Sequence, residues 1–383
     1  MRFCVDCVTR PFVSHPPGRI NRYSSQVEGS KLELPQVDRR SLDEMGETVI
    51  EGHYLETVEG LFFAVKGHVH PPQRTIAYLR YLPHEAGERE RAGRRYHRVY
   101  HFPEQEEILR QQYPHYCFYD PMYGRKLQGV PISHRKNVYS PRRGLADLRL
   151  GRASKAIEDA LFLASLLHEQ AGVEWSCLGI SGSLLISLAT PASDIDLVVY
   201  GAKNGQMVQQ VLREMFTLGI GEVKPLAEEE MRRLYLSRLP DTRIGWADFL
   251  RHEQRKVNQG TCRGREYFIR FVKKEVGERY GERRYQMLGQ ARIRARVLDD
   301  ADSLFTPCVY GIEQVTSEGS CLSGAVREII SFRGRFSEQA RGGEWIIAQG
   351  SLERVTDKRG EKYLRLVLGE HPDDYLIVRN SEL

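Results

Sequence analysis

Apolar residues recur along this chain with two different periods, and the changes of period mark out its parts. Residues 60–65 and 75–81 are β-rich runs, separated by a turn at Gly67 to Pro72. A charged loop over 85–95 leads to a further predicted strand at 96–102, a short helix at 104–112 and a strand at 116–119. The period then lengthens. Ala156, Ala160, Leu163, Leu166 and Leu167 recur at helical spacing within 153–170, and Gly172 supplies the stop. Strands are predicted at 175–180, 194–200 and 267–272, the last interrupted by Arg270, with helices at 206–217, 228–239 and 246–257. From about residue 292 the pattern becomes short apolar runs between Gly, Asp and Ser turns, at 293–298, 308–315, 326–332, 345–355, 363–368 and 375–378. That density of short strands predicts a small closed barrel.

These patterns divide the chain into a tail over 1–45, an α+β domain over 46–150 that ends in a basic linker, a second α+β domain over 151–290, and an OB-like β-barrel over 291–383. The predicted class is α+β. A length of 383 residues calls for more than one core, and 41% hydrophobic with 28% charged residues describes a globular chain. No run is long and apolar enough for a membrane helix and the first ten residues lack a secretion core, so the expected location is cytoplasmic. Seven scattered cysteines argue against a disulfide framework. Cys4 and Cys7 form a C-x-x-C without a second pair, and His68 and His70, next to Pro71, read as exposed turn residues.

The net charge of +5 matters less than its distribution. Between Arg125 and Lys155 nine basic residues face one acid, Asp147. Within that stretch Arg135, Lys136, Arg142 and Arg143 are candidate nucleic-acid contacts, set against the alternative of a solvated linker.

The chemistry is concentrated in residues 178–200, L-G-I-S-G-S-L-L-I-S-L-A-T-P-A-S-D-I-D-L-V-V-Y. An apolar strand runs into Gly182-Ser183, which opens a short helix expected over 184–189. Glycine allows a tight turn and close approach of a phosphate, and a helix start presents free N–H groups. Asp194 and Asp196 then lie two apart on a strand, so both carboxylates share one side while Ile195 and Leu197 take the other. Such a pair beside a phosphate cradle calls for a hard divalent cation.

Gly182-Ser183, ten intervening residues, then Asp194-Ile195-Asp196-Leu197 resembles the signature of the DNA-polymerase-β-like nucleotidyltransferase superfamily. The wider chain is similar to a mainly archaeal group of predicted nucleotidyltransferases, through His70-Pro71-Pro72, residues 77–83, 268–272, 304–307 and 332–336. The resemblance implies a polymerase-β-like core, Mg²⁺ or Mn²⁺ on Asp194 and Asp196, an NTP held by Gly182 and Ser183, and transfer of NMP to an acceptor hydroxyl; the basic segment over 125–155 and the barrel add RNA or tRNA as the first acceptor to consider. Members usually carry a third carboxylate on a neighbouring strand. Here the central residue of that strand is Arg270, a candidate nucleotide contact; Glu266 is the candidate catalytic acid, and Asp248 sits in a helical setting. Two other readings stand beside this one: a small-molecule or protein acceptor, and a nucleic-acid-binding or regulatory protein that keeps a nucleotide pocket without turnover. In the barrel, Arg333, Arg335 and Arg341 interleave with Phe332, Phe336 and Trp345 as in single-strand-binding barrels, or else the aromatics fill the barrel core.

Overall fold

The computed structural model describes residues 48–151, 154–219, 221–273, 277–317 and 326–379. The predicted tail, with Cys4 and Cys7, lies outside the described residues. The chain is a mixed α+β protein with seven helices among those residues and three sheets, one of them closed into a barrel.

The leading sheet contains β1 (Tyr54–Thr57), β2 (Phe62–Val65), β3 (Arg74–Pro83), β4 (Arg89–Arg91) and β5 (Arg94–Arg98), then helix α1 (Phe102–Gln112), β6 (Cys117–Asp120), β7 (Arg125–Pro131) and β8 (Arg135–Tyr139). Its order is β4-β5-β3-β2-β1-β8, with β7 and β6 continuing from β3. Alternation gives it two buried faces. Leu55 and Phe63 pack with Leu109 of α1, whereas Tyr54 and Phe62 join the core of the next lobe. The predicted strand at 96–102 ends early, because Phe102-Pro103 opens α1. The presumed basic linker is ordered: it supplies β7, β8 and helix α2 (Pro141–Leu150), capped by Ser140 with Pro141 in the first turn.

Helix α2 packs into the central lobe, Leu145 lying with Leu163 and Ile180. That lobe continues with α3 (Lys155–Ala171), β9 (Leu178–Ile180), the single turn α4 (Gly182–Leu185), β10 (Ile195–Tyr200), α5 (Ala202–Leu218), β11 (Val223–Lys224), α6 (Glu228–Arg238), α7 (Trp246–Glu253), β12 (Gln259–Cys262) and β13 (Arg265–Val272). Ser154 caps α3, and Gly172 ends it in the left-handed conformation at φ 63°. The sheet runs β11-β12-β13-β10-β9; β10 is an interior strand, parallel to β13 and antiparallel to β9.

The last lobe starts with β14 (Arg283–Asp299), ahead of the expected boundary at 291, and adds β15 (Cys308–Ser317), β16 (Val326–Ser331), β17 (Trp345–Asp357), β18 (Lys362–Leu368) and β19 (Tyr375–Arg379). The pairing β14-β15-β16-β18-β17 closes back onto β14, and β16 and β18 are parallel. Ile293, Tyr310, Phe336, Ala348 and Leu366 fill it. Tyr123 stacks on Tyr285 at 5.4 Å to join the first lobe to the barrel, and the main-chain N–H groups of Val257 and Asn258 donate to buried Glu338 to join the second. No described helix is long and apolar enough to cross a membrane.

Candidate functional site

The site begins where β9 ends. The amide of Ser181 donates to the carbonyl of Asp196 at 2.7 Å, so the turn and the acidic strand are tied across one rung. Gly182 follows at φ +60°, and a Cβ there would stand 2.0 Å from Oδ2 of Asp196. Only glycine fits: its backbone presses against the carboxylate. Ser183 is 5% exposed, and its Oγ has no hydrogen-bond partner among the described residues. A buried hydroxyl left unsatisfied costs about 1–3 kcal/mol, which a bound oxyanion would offset.

Asp194 and Asp196 line the same cavity as Gly182 and Ser183. Neither carboxylate has a hydrogen bond or ion pair among the described residues. Burial, and then the charge of Asp194, push the Asp196 carboxyl up to about 6, against the pull of Arg270, Arg98 and Arg80. These are the features a divalent cation and a polyphosphate require: two unpaired hard oxygen donors, an orphaned hydroxyl donor and a close-packed glycine turn. The residues fit Mg²⁺.

The loop joining turn to strand is clamped from two sides. From β4, Arg89 Nη1 reaches the Leu188 carbonyl at 3.1 Å and Ser193 Oγ at 2.8 Å. From β13, Arg265 Nη1 reaches the carbonyls of Pro191 and Ser193, both at 2.7 Å, while its Nε binds Asp159 at 3.0 Å. Ser181 Oγ donates to the carbonyl of Gly52 at 2.7 Å. The first lobe therefore holds the second lobe's site in shape.

The cavity has a volume of about 670 Å³ and walls from all three lobes. Arg80 of β3 and Arg98 of β5 enter it, both guanidinium groups lying over the Tyr100 ring, at 5.6 and 5.4 Å. Neither has an ion-pair partner among the described residues, and Asp196 feels both charges. Pattern reading missed these two. For Arg80 the available signal was a cation inside the run Ile76 to Leu82, where every other residue is apolar or aromatic.

Arg270 lines the cavity and is bound at 2.7 Å to Glu51, which also takes Lys66 at 3.0 Å. Burial opposes the ionisation of Glu51, yet Lys66, Arg270 and the Gly67 amide hold its carboxyl below the ordinary range. In the β10–β13 register Asp196 faces Phe268, so no acid stands beside it on that strand. Glu266 lies one side-chain step earlier, level with Asp194, at the cavity edge, half-exposed and 3.2 Å from Arg233. Asp248 is held by Arg379 in two bonds, at 2.6 and 2.9 Å, on helix α7.

A shallower cleft of about 520 Å³ meets the cavity at Asp194 and Glu266, lined by Arg89, Lys155, Arg263 and Arg265. The four basic residues singled out in the sequence are elsewhere. Arg135 bonds Thr75, Lys136 pairs with Glu56 at 2.9 Å, and Arg142 lies over the Tyr200 ring at 4.0 Å; none of these, nor Arg143, lines the cavity. His68 and His70 are half-buried, against the expectation of exposed turn residues. His70 donates to the Val49 carbonyl at 3.0 Å and accepts from the Ile76 amide at 3.3 Å, so its ring holds the turn in place. Phe336 is 1% exposed inside the barrel and Arg335 pairs with Asp241 at 3.2 Å, so these members of the basic-aromatic run are structural.

Fold and site together define an α+β protein with a three-walled acidic-and-basic cavity on a closed-barrel platform. The chain is 32% identical over 327 residues to an uncharacterized protein, MJ1086, of Methanocaldococcus jannaschii, the match covering 82% of this chain and 94% of that protein. The chain belongs to the family of that archaeal protein. No family model matches the chain, and no solved structure does.

Proposed function

We propose that this chain is a nucleotidyltransferase with a polymerase-β-like core, moving NMP from an NTP to an acceptor hydroxyl. The observation that carries the reading is the packing of Gly182 against the Asp196 carboxylate, with the unsatisfied Ser183 hydroxyl beside it. Asp194 and Asp196 would hold Mg²⁺ or Mn²⁺, which when bound neutralises phosphate charge and lowers the pKa of a coordinated hydroxyl. Ser183 and the α4 amides bind the terminal phosphates; Arg80 and Arg98, from the leading sheet, neutralise the triphosphate. The acceptor oxygen forms its bond to the α-phosphorus as the bond to the pyrophosphate oxygen breaks. Glu266, level with Asp194 at the cavity edge, would receive the acceptor's proton.

The cleft lined by Arg89, Lys155, Arg263 and Arg265 opens at Asp194, where an acceptor must arrive, and its cations favour a phosphodiester chain such as RNA. Phe268 beside Asp196 supports a second reading, a nucleotide-binding protein without turnover. Incubation with each α-labelled NTP, Mg²⁺ or Mn²⁺ and total cellular RNA separates the two. Label should enter RNA with the wild-type chain and not with Asp194→Ala/Asp196→Ala. Metal-dependent NTP binding without labelled product would favour the second reading, and NTP binding unchanged in the double variant would remove both.

A further inference from the structure

Away from the cavity, the turns at one end of the leading sheet bring together three residues far apart in sequence. Glu59 sits in the β1–β2 turn, His115 in the 3-10 turn Pro114–Tyr116, and His134 in the 3-10 turn Ile132–His134. One ligand atom from each lies within 4.8 Å of the other two. His115 Nε2 is 3.3 Å from Oε1 of Glu59. Two ligands bound tetrahedrally to zinc at their usual distances are separated by roughly 3.3–3.4 Å, so this edge already has the required length.

The surroundings orient the three groups. Tyr116 donates to the other carboxylate oxygen of Glu59 at 2.5 Å, leaving Oε1 facing the histidines. Ser133 Oγ lies 3.1 Å from Nδ1 of His134, leaving Nε2 as its ligand atom. The two imidazoles lie side by side, tilted at 36° with centroids 4.9 Å apart. A main-chain bond from Val58 to the His134 carbonyl, at 3.1 Å, ties two of the turns together. Arg74 and Arg94 approach the main-chain carbonyls of His115 and Glu59, at 3.4 and 3.5 Å, and so leave the side-chain centre to the three ligands. Outer hydrogen bonds that fix ring tautomer and carboxylate orientation are what a transition-metal site requires beyond its ligands.

We propose that Glu59, His115 and His134 form a site for one divalent transition ion of the zinc class, with a water in the fourth position. Two histidines and a glutamate are a zinc donor set, unlike the all-oxygen pair at Asp194 and Asp196. None of the three residues lines the cavity, so the site is separate from the proposed reaction, and a bound ion would add to the side-chain and main-chain bonds that already join the three turns.

The test uses the full-length chain carrying Cys4→Ser and Cys7→Ser, so that the C-x-x-C cannot bind the ion, stripped with chelator and titrated with Zn²⁺ alone. One equivalent should bind, and Co²⁺ should give the intense visible bands of a four-coordinate ion. His115→Ala/His134→Ala should lose that equivalent while keeping the circular dichroism of the parent, and Asp194→Ala/Asp196→Ala should retain it. Tyr116→Phe should weaken binding about ten-fold through the carboxylate it orients. No bound equivalent in the parent, or an equivalent that survives in the histidine variant, overturns the proposal. Should the double variant misfold, His134→Asn alone decides by the same titration.

Discussion

Asp196 shows how a residue proposed to bind a metal works against the fold that contains it. Its carboxyl rises from the ordinary 3.8 to about 6. A raised acid contributes stability that is fully present below its unfolded value and lost as pH rises through the folded one. Between about pH 4 and 6 the cation-free chain should therefore lose at most about 3 kcal/mol through this group. Asp196→Asn should raise the thermal midpoint at neutral pH without metal, and added Mg²⁺ should raise that of the wild type but not of the variant. A lower midpoint in the asparagine variant would contradict this account of the site. Ser183→Ala removes an orphaned donor and should leave stability unchanged or higher, while weakening NTP binding by about five-fold, the worth of one ordinary hydrogen bond. Titration calorimetry reads the second effect and thermal unfolding the first.

At the scale of elements, the loop between α4 and β10 depends on two arginines that reach it from other strands. Arg89→Ala should leave the fold intact but loosen residues 188–193. The expected signature is faster amide exchange at 190–194 and a loss of transfer rate larger than the loss of NTP affinity. Equal losses would make Arg89 a binding residue and not a positioning one. This is also the scale at which the limits of pattern reading are visible. The run from Leu178 to Tyr200 was legible because its meaning lies in short spacings: strand, turn, helix start, two acids on one face. β7, β8 and α2 were not, because the density of Arg and Lys over 125–152 hides their periodicity. In β8 no residue is buried, as suits an edge strand, and in α2 only Pro141 and Leu145 are buried. Arg80, Arg89 and Arg98 escaped for another reason. The groups they face, Asp196 and the loop at 188–193, lie about a hundred residues away, and only the packing of the leading sheet on the central lobe brings them together.

For the whole molecule, the consequence is a cavity that no single lobe owns. The middle lobe contributes the acids and the glycine turn, the leading sheet the unpaired cations, and the barrel a wall. Arg80→Ala/Arg98→Ala, made far from the signature in sequence, should weaken NTP binding by at least about ten-fold, since a hydrogen bond to a charged group contributes about 1.5–3 kcal/mol. The dependence of that affinity on salt should flatten as well. If affinity and salt dependence match the wild type, the leading sheet has no part in holding the triphosphate.

The bond from Ser181 to Gly52 spans 129 positions of sequence, and that from Arg89 to Ser193 spans 104. During synthesis the leading sheet emerges before the strand that bears the aspartates, with its guanidinium groups still facing empty solvent. A nascent or truncated chain that stops short of residue 194 is thus a cationic surface lacking its counter-charge, apt to adhere to any polyanion nearby. Completing the polypeptide converts that indiscriminate stickiness into a pocket whose cations meet their counter-charge.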